Sequence, residues 1–319
     1  MTKVATPLRL PFAGGLTDVK DYATRFGGAT VSSTIDLGVR VNVTASETGS
    51  YEIHSVLGAQ SAVQPAQIDS DLVREALRSV GHEGPPLAVT VEVDVVDHSG
   101  LGTSGAITVA LLHALRAWRG ERPSAAALAS EAAHIEVEVM GGASGYHDAN
   151  VCARGGLLLV EYRGPAVAAQ ELKLPPGFRD RLQSSLLLFA TGRKASTKAS
   201  LQRLSAGMDE ALPVLHDIKR LAYTTAEALR SGDLEAVAAC VGEQQRLKQR
   251  LPGSFVDEFV LDIGAKVAGT GAVAQFPGGK IGGYVLVCCP DSQQSAVRRA
   301  LAGFAEVPIG LSAHGSRLV

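Results

Sequence analysis

The sequence predicts an α+β fold, and three observations carry that prediction. Short runs rich in Val, Thr and Ile, bounded by Gly, Asp and Pro, open the chain; long segments of helical spacing follow; and the two kinds intermix without strict βαβ alternation. The 319 residues are 46% hydrophobic, enough for a large core and too apolar for a disordered or fibrous protein. At about 150 residues per domain, two packed domains are expected. The Pro-containing polar stretch 172–180 divides them into 1–175 and 176–319.

Taken in order, residues 28–34, 38–45 and 87–96 read as strands. From 103 to 118 apolar residues recur at helical spacing (Ile107, Ala110, Leu111, Ala114, Leu115), and 124–140 reads as a second helix with Ser124 as its cap. Strands are expected at 155–162 and 184–190, and two long helices at 208–231 and 234–251. A glycine-rich patch at 264–283 precedes a strand at 284–289, a helix at 292–304 and a last strand near 307–311.

Thirty Lys plus Arg against 32 Asp plus Glu, with no long run of like charge, argue against a nucleic-acid partner. The opening MTKVATPLRL lacks a signal-like apolar core, and no apolar run approaches the roughly 18 residues that span a bilayer. A cytoplasmic protein without a membrane partner is expected; a homodimer is left open. Cys152, Cys240, Cys288 and Cys289 lack metal-site spacing and read as reduced, buried small hydrophobes.

Three clusters carry candidate chemistry. The first is Ser99-Gly100-Leu101-Gly102-Thr103-Ser104-Gly105, which runs directly into the 103–118 helix. Helix-start amides attract anions, glycines let backbone approach a phosphate, and Thr103 and Ser104 offer hydroxyls to phosphate or magnesium. It is neither a Walker A loop nor a Rossmann turn, and by itself an ordinary strand-to-helix turn fits it equally well. The second is RLPFAGGLTD, where Arg9 suits a transferring phosphoryl group and Asp18 suits sugar hydroxyls. The third is MGGASGYHDANVCARGG, with Asp148 at its centre and Glu136 twelve residues earlier on a helix. Such a pair can divide the labour, Glu136 holding magnesium and Asp148 accepting a proton. Glu138 fits the Glu136 pattern as well, and His147, with no partner at ligand spacing, reads as structural.

In this order, the clusters resemble the superfamily of galactokinase, homoserine kinase, mevalonate kinase and phosphomevalonate kinase, the GHMP kinases. The branch most similar is that of the D-glycero-D-manno-heptose 7-phosphate kinases: PLRLPFAGGLTD is similar to its PLRLGLAGGGTD, and SGLGTSGAITVALLHAL to its SGLGSSSALTVALLHAL. HIEVEVMG, SSLLLFATG and the final HGSRLV extend the likeness from about residue 7 to 319.

The resemblance implies an N-terminal domain like ribosomal protein S5 domain 2 and a ferredoxin-like C-terminal domain, with the site between them. It implies an ATP-dependent kinase using Mg2+ to phosphorylate a small sugar or sugar phosphate at the anomeric hydroxyl. Asp148 would be the catalytic acid and Arg9 would lie near the transferring phosphate. Ser99, Gly100, Leu101, Gly102, Thr103, Ser104 and Gly105 would bind ATP, and Glu136 with Thr103 and Ser104 the metal. Asp18, Thr17, Gly14, Gly15, Ser196 and Lys198 would bind substrate. A sensor that binds ATP and sugar without turnover, or a GHMP kinase for another small alcohol, are the alternatives.

The chain departs from the family in three places. Val96-Asp97-His98 replaces Pro-Pro-Gly before the phosphate loop, and Tyr146-His147 replaces Lys-Gln before Asp148, removing a lysine suited to a substrate phosphate. The C-terminal glycine motif matches GAKVAGTG at 264–271, which keeps the family's spacing; Gly278 to Gly283 is the second alignment.

Overall fold

Densely β-branched sequence at the start of the chain builds two long strands, β1 (Thr2–Ala13) and β2 (Gly28–Ala45), antiparallel and joined through helix α1 (Lys20–Phe26). The computed structural model describes every residue except 57, 96–99, 142–143, 194–196, 253–254 and 280–282, and every side chain but theirs and those of Thr197 and Lys198. Strands β3 (Tyr51–Ser55) and β4 (Gly58–Ala62), helix α2 (Asp71–Ser79) and strand β5 (Leu87–Val93) follow. Helices α3 (Thr103–Trp118), α4 (Ala125–His134) and α5 (His147–Arg154) pack together, and α3 and α5 also lie against β1 and β2. The hairpin β6 (Leu157–Arg163) and β7 (Ala166–Glu171) then pairs with the first half of β2.

Helix α6 (Phe178–Ser184) leads into β8 (Leu186–Ala190). Four helices come next: α7 (Thr197–Ala206), α8 (Met208–Ser231), α9 (Leu234–Lys248) and α10 (Glu258–Ala268). The chain closes with β9 (Val273–Gln275), β10 (Tyr284–Cys288), α11 (Asp291–Ala300), β11 (Ala305–Val307), β12 (Leu311–Ser312) and β13 (Arg317–Leu318). A four-stranded antiparallel sheet runs β11-β8-β10-β9, and β12 and β13 return to a nine-stranded sheet, pairing with β2 and β1. The large core lies between the nine-stranded sheet and α3 to α5, and a smaller one between the four-stranded sheet and α10 and α11. Among the described residues no helix is long and apolar enough to cross a membrane, and all four cysteines are buried thiols.

Three local expectations change. Residues 28–45 are one strand that switches partner, Gly28–Ser33 against β6 and Val39–Ala45 against β5, with a register shift in β1 between Pro7 and Arg9. The helix expected over 124–140 is capped by Ser124, which accepts from the Ala127 amide at 3.1 Å, but α4 passes at Ile135 into a π turn that ends at Val139. Wide turns of this kind often mark functional positions. Residues 264–268 belong to α10, since Ile263 and Val267 are the apolar positions that bury it.

Candidate active site

Helix α3 starts where its sequence becomes apolar, and the turn before it depends on glycine. Gly102 adopts a left-handed conformation at φ 79°, and the Arg9 amide donates to the Leu101 carbonyl at 2.9 Å, fastening the turn to β1. The first amides of α3, which have no carbonyl partner within the helix, thus begin beside β1, and no side chain caps them at Gly102. A side chain at position 105 would place its Cβ 2.6 Å from Cβ of Asp148 and 2.9 Å from the Ala149 amide nitrogen. Glycine is thus what lets the starts of α3 and α5 touch, bringing the phosphate loop against Asp148.

Asp148 is the second residue of α5. Arg9, 4% exposed, donates to its Oδ1 from Nε at 2.9 Å and Nη2 at 2.7 Å, and from Nη1 to the Gly100 carbonyl at 2.6 Å. Asp18 is buried beside the same helix start, accepting from the Leu16 and His147 amides, each at 3.2 Å. Burial first, and the neighbouring Asp148 charge second, raise its pKa from 3.8 to about 6. His147 is buried beside the same carboxylate: its Nε2 lies 2.7 Å from Ser32 Oγ and its Nδ1 3.6 Å from Asp148 Oδ1, and burial lowers its pKa to about 3, so the imidazole is neutral.

The π turn separates the two glutamates that the sequence left equal. Glu138 points outward to Lys20 and to the Tyr146 hydroxyl at 3.1 Å, whereas Glu136 is 5% exposed beside the Ser104 and Thr108 hydroxyls. Burial, then the Asp148 charge, push Glu136 up to about 8, and its Oε2 has no hydrogen-bond partner among the described residues. A buried orphan carboxylate oxygen next to hydroxyls at a phosphate loop suits a hard divalent cation.

The remaining expected substrate residues divide. Gly15 has nothing within 4 Å of where a Cβ would stand, so it borders open space. Gly14 instead packs on the Ala29 carbonyl, whose oxygen lies 2.0 Å from where a Cβ would stand, and its amide donates to Gln244 Oε1 at 2.8 Å. Thr17 is corrected: its fully buried hydroxyl donates within the turn to the Gly14 and Ala29 carbonyls at 2.8 and 3.0 Å and accepts from the Ala29 amide, so it builds the turn and does not face a ligand. Ser99, Ser196 and the Lys198 side chain lie outside the described residues, as does the 96–98 segment.

The third glycine motif is also corrected. Gly264 lies within α10 and Gly271 packs against Gln293. The backbone that meets the phosphate loop is Pro277 and Gly278: a Cβ at Gly100 would lie 2.4 Å from the Pro277 carbonyl oxygen. The second alignment therefore begins at the residue that touches the site.

Residues 71–156, which hold the phosphate loop, Glu136 and Asp148, match the family of GHMP kinases, N terminal domain. Over these residues the chain is similar to that family. The GHMP kinase fold extends beyond them. The D-glycero-D-manno-heptose 1-phosphate kinase structure from Bacteroides thetaiotaomicron superposes with a TM-score of 0.83 over 100% of this chain and 99% of that one, at 24% identity. Lactococcus lactis galactokinase complexed with galactose gives 0.77 over 99% and 94%, at 15% identity. In sequence, the D-glycero-alpha-D-manno-heptose 7-phosphate kinase of Campylobacter jejuni is 25% identical over 263 residues, 77% of each chain. The mevalonate kinase of Methanothermobacter thermautotrophicus is 30% identical over 141 residues, 44% of this chain and 46% of that one.

Two parts of this candidate site carry no signal in the sequence. One is a cavity of about 170 Å³ beside Thr103 and Ser104, walled by Leu72, Val73, Val91, Val93 and Ile107. The other is the end of α9, where Gln244, Gln245 and Lys248 are buried and bonded to backbone of the two glycine segments. Three polar residues within five positions near a helix end resemble a solvated face in sequence, and only their burial distinguishes them.

Proposed function

We propose that this protein is an ATP-dependent kinase that transfers the γ-phosphoryl group to a hydroxyl of a sugar or sugar phosphate, the anomeric hydroxyl of a heptose phosphate being the favoured acceptor. The observation that carries this reading is the convergence of Asp148, Arg9 and the start of α3, with Gly105 admitting the Asp148 side chain at 2.6 Å from a Cβ position. The heptose 7-phosphate kinase of C. jejuni supports the acceptor class.

In this reading the adenine occupies the apolar cavity between Val73, Val93 and Ile107, and the triphosphate runs along the phosphate loop to the α3 N-terminus. Asp18 and the open space at Gly15 hold the sugar. Asp148 orients the acceptor hydroxyl and accepts its proton as the new O–P bond forms and the β–γ bridge bond breaks. Arg9 fixes the Asp148 carboxylate and faces the charge on the transferring group. Glu136, Ser104 and Thr103 would hold Mg2+, which offsets phosphate charge when bound. Residues 1–175 carry this machinery, while 176–319 supply the Pro277–Gly278 contact and the helix that grips it.

An ADP-release assay across sugars and sugar phosphates, run on wild type and Asp148→Asn, tests the proposal. Turnover on a phosphorylated heptose that the variant loses supports it. Tight nucleotide and sugar binding with no ADP formed from any acceptor would replace it with a non-catalytic sensor.

A further inference from the structure

Helix α9 ends in a buried amine with no carboxylate beside it among the described residues. Lys248 is 3% exposed, and its Nζ donates to the carbonyls of Phe276 at 2.8 Å and Gly278 at 2.5 Å. A buried ammonium held only by neutral acceptors is costly, and such costs concentrate at functional sites. The gripped segment is the one that rests on the phosphate loop, with the Pro277 carbonyl oxygen 2.4 Å from a Gly100 Cβ position. Arg9 Nη1 donates to the carbonyl of that same glycine at 2.6 Å. Gln245, one turn before Lys248, accepts from the Phe276 amide at 3.0 Å, so the segment is held at both backbone polarities. Burial first and the Arg9 charge second bring the Lys248 pKa from 10.5 down to about 7.

We propose that Lys248 is a positioning residue for phosphoryl transfer: it latches Phe276–Gly278 onto Gly100, so that the phosphate turn and Arg9 keep the shape that receives the terminal phosphate of ATP. The proposal rests on the kinase reading above. Lys248 acts through backbone carbonyls, so its loss falls on the reacting end of the nucleotide and spares the adenine and the sugar.

The test compares Lys248→Met, Lys248→Gln and Lys248→Arg with wild type in kcat, KM for ATP and acceptor, and affinity for ADP and a non-hydrolysable ATP analogue, with thermal melting as the folding control. In the Met variant kcat falls about 10²-fold, as for a displacement of about 1 Å at a reacting centre. Affinity for the ATP analogue drops, while ADP affinity and acceptor KM stay near wild type. The Arg variant, which keeps a charged donor, recovers most of kcat. A folded Met variant with wild-type kcat, or one that weakens ADP and the analogue equally, overturns the proposal. If the Met variant does not fold, Gln and Arg decide, and an Arg variant no better than Gln overturns it. A wild-type chain that binds neither nucleotide sinks the kinase reading itself.

Discussion

Arg9 donates twice to a single oxygen of Asp148, at 2.9 and 2.7 Å, and its third nitrogen holds the Gly100 carbonyl at 2.6 Å. One guanidinium thereby fixes the Asp148 carboxylate relative to the glycine turn before α3, although the paired residues stand 139 positions apart. Lysine cannot reproduce this fork. Arg9→Lys should therefore lower kcat by about 10²-fold even though the positive charge remains. Asp148→Asn should lower it by about 10² to 10⁴ with smaller changes in ATP affinity. Steady-state ADP release measures both, and an Arg9→Lys enzyme as fast as wild type would show that the fork does not matter.

Asp18 titrates at about 6 in the free protein, and its carboxylate form is the better acceptor for sugar hydroxyls. Acceptor affinity should therefore strengthen as pH rises from 5 to 7 and level off above. Isothermal titration with a neutral sugar analogue avoids titration of the ligand's own phosphate. Asp18→Asn should bind more weakly and lose the pH dependence.

His147 gives the opposite kind of titration, one of stability. Its folded pKa of about 3 lies below the ordinary 6.5, so between these values the unfolded chain binds a proton that the folded chain refuses. Stability from this group should thus be present above pH 6.5 and fall by up to about 1.4 kcal/mol per pH unit on the way down to 3. His147→Gln keeps a polar partner for Ser32 and removes the titration. Urea midpoints at pH 4.5 and 7 should converge in the variant relative to wild type.

Much of this geometry is readable in the residues, and the reasons it is or is not are local. The spans of α3 and α8 follow directly from their apolar spacing, and Ser124 is a cap because its hydroxyl precedes a run of alanines. Motif order points to Arg9, Asp18, Glu136 and Asp148, which the fold gathers. Glu136 and Glu138 are indistinguishable until a π turn rotates one inward. Thr17 resembles a ligand in sequence because a buried hydroxyl serving its own turn carries the same letter as one serving a sugar. Gly264 and Gly271 match a motif by spacing, while contact with Gly100 falls to Pro277 and Gly278, six and seven residues beyond Gly271 and past strand β9.

Two glycine substitutions separate packing from binding. Gly105→Ala drives a methyl to 2.6 Å from Asp148 Cβ and should cost about 1 to 3 kcal/mol as well as turnover. Gly15→Ala meets nothing within 4 Å, so its melting temperature should match wild type while acceptor KM rises. Equal melting temperatures for both variants would contradict the Gly105 contact.

A bulky side chain in the apolar cavity should act on the nucleotide alone. Ile107→Trp fills part of the roughly 170 Å³ beside Thr103 and should raise ATP KM while acceptor KM holds. An unchanged ATP KM would place the adenine elsewhere.

The return of β12 and β13 to the sheet begun by β1 and β2 bears on how the molecule is born. Leu318 pairs with Val4, the Ser316 hydroxyl joins Thr6 to His113, each at 2.8 Å, and the backbone at His314 and Gly315 lies against Gly155, just past Asp148 on α5. A ribosome emitting these residues in order therefore exports the first sheet with the β1 edge and part of β2 unpaired. Those pairings form only when residues near 311–318 emerge. Such long-range closure slows folding and lengthens exposure of an open edge. Nascent chains halted before 311 should accordingly be cut readily by protease at the first sheet, and full-length chains should not.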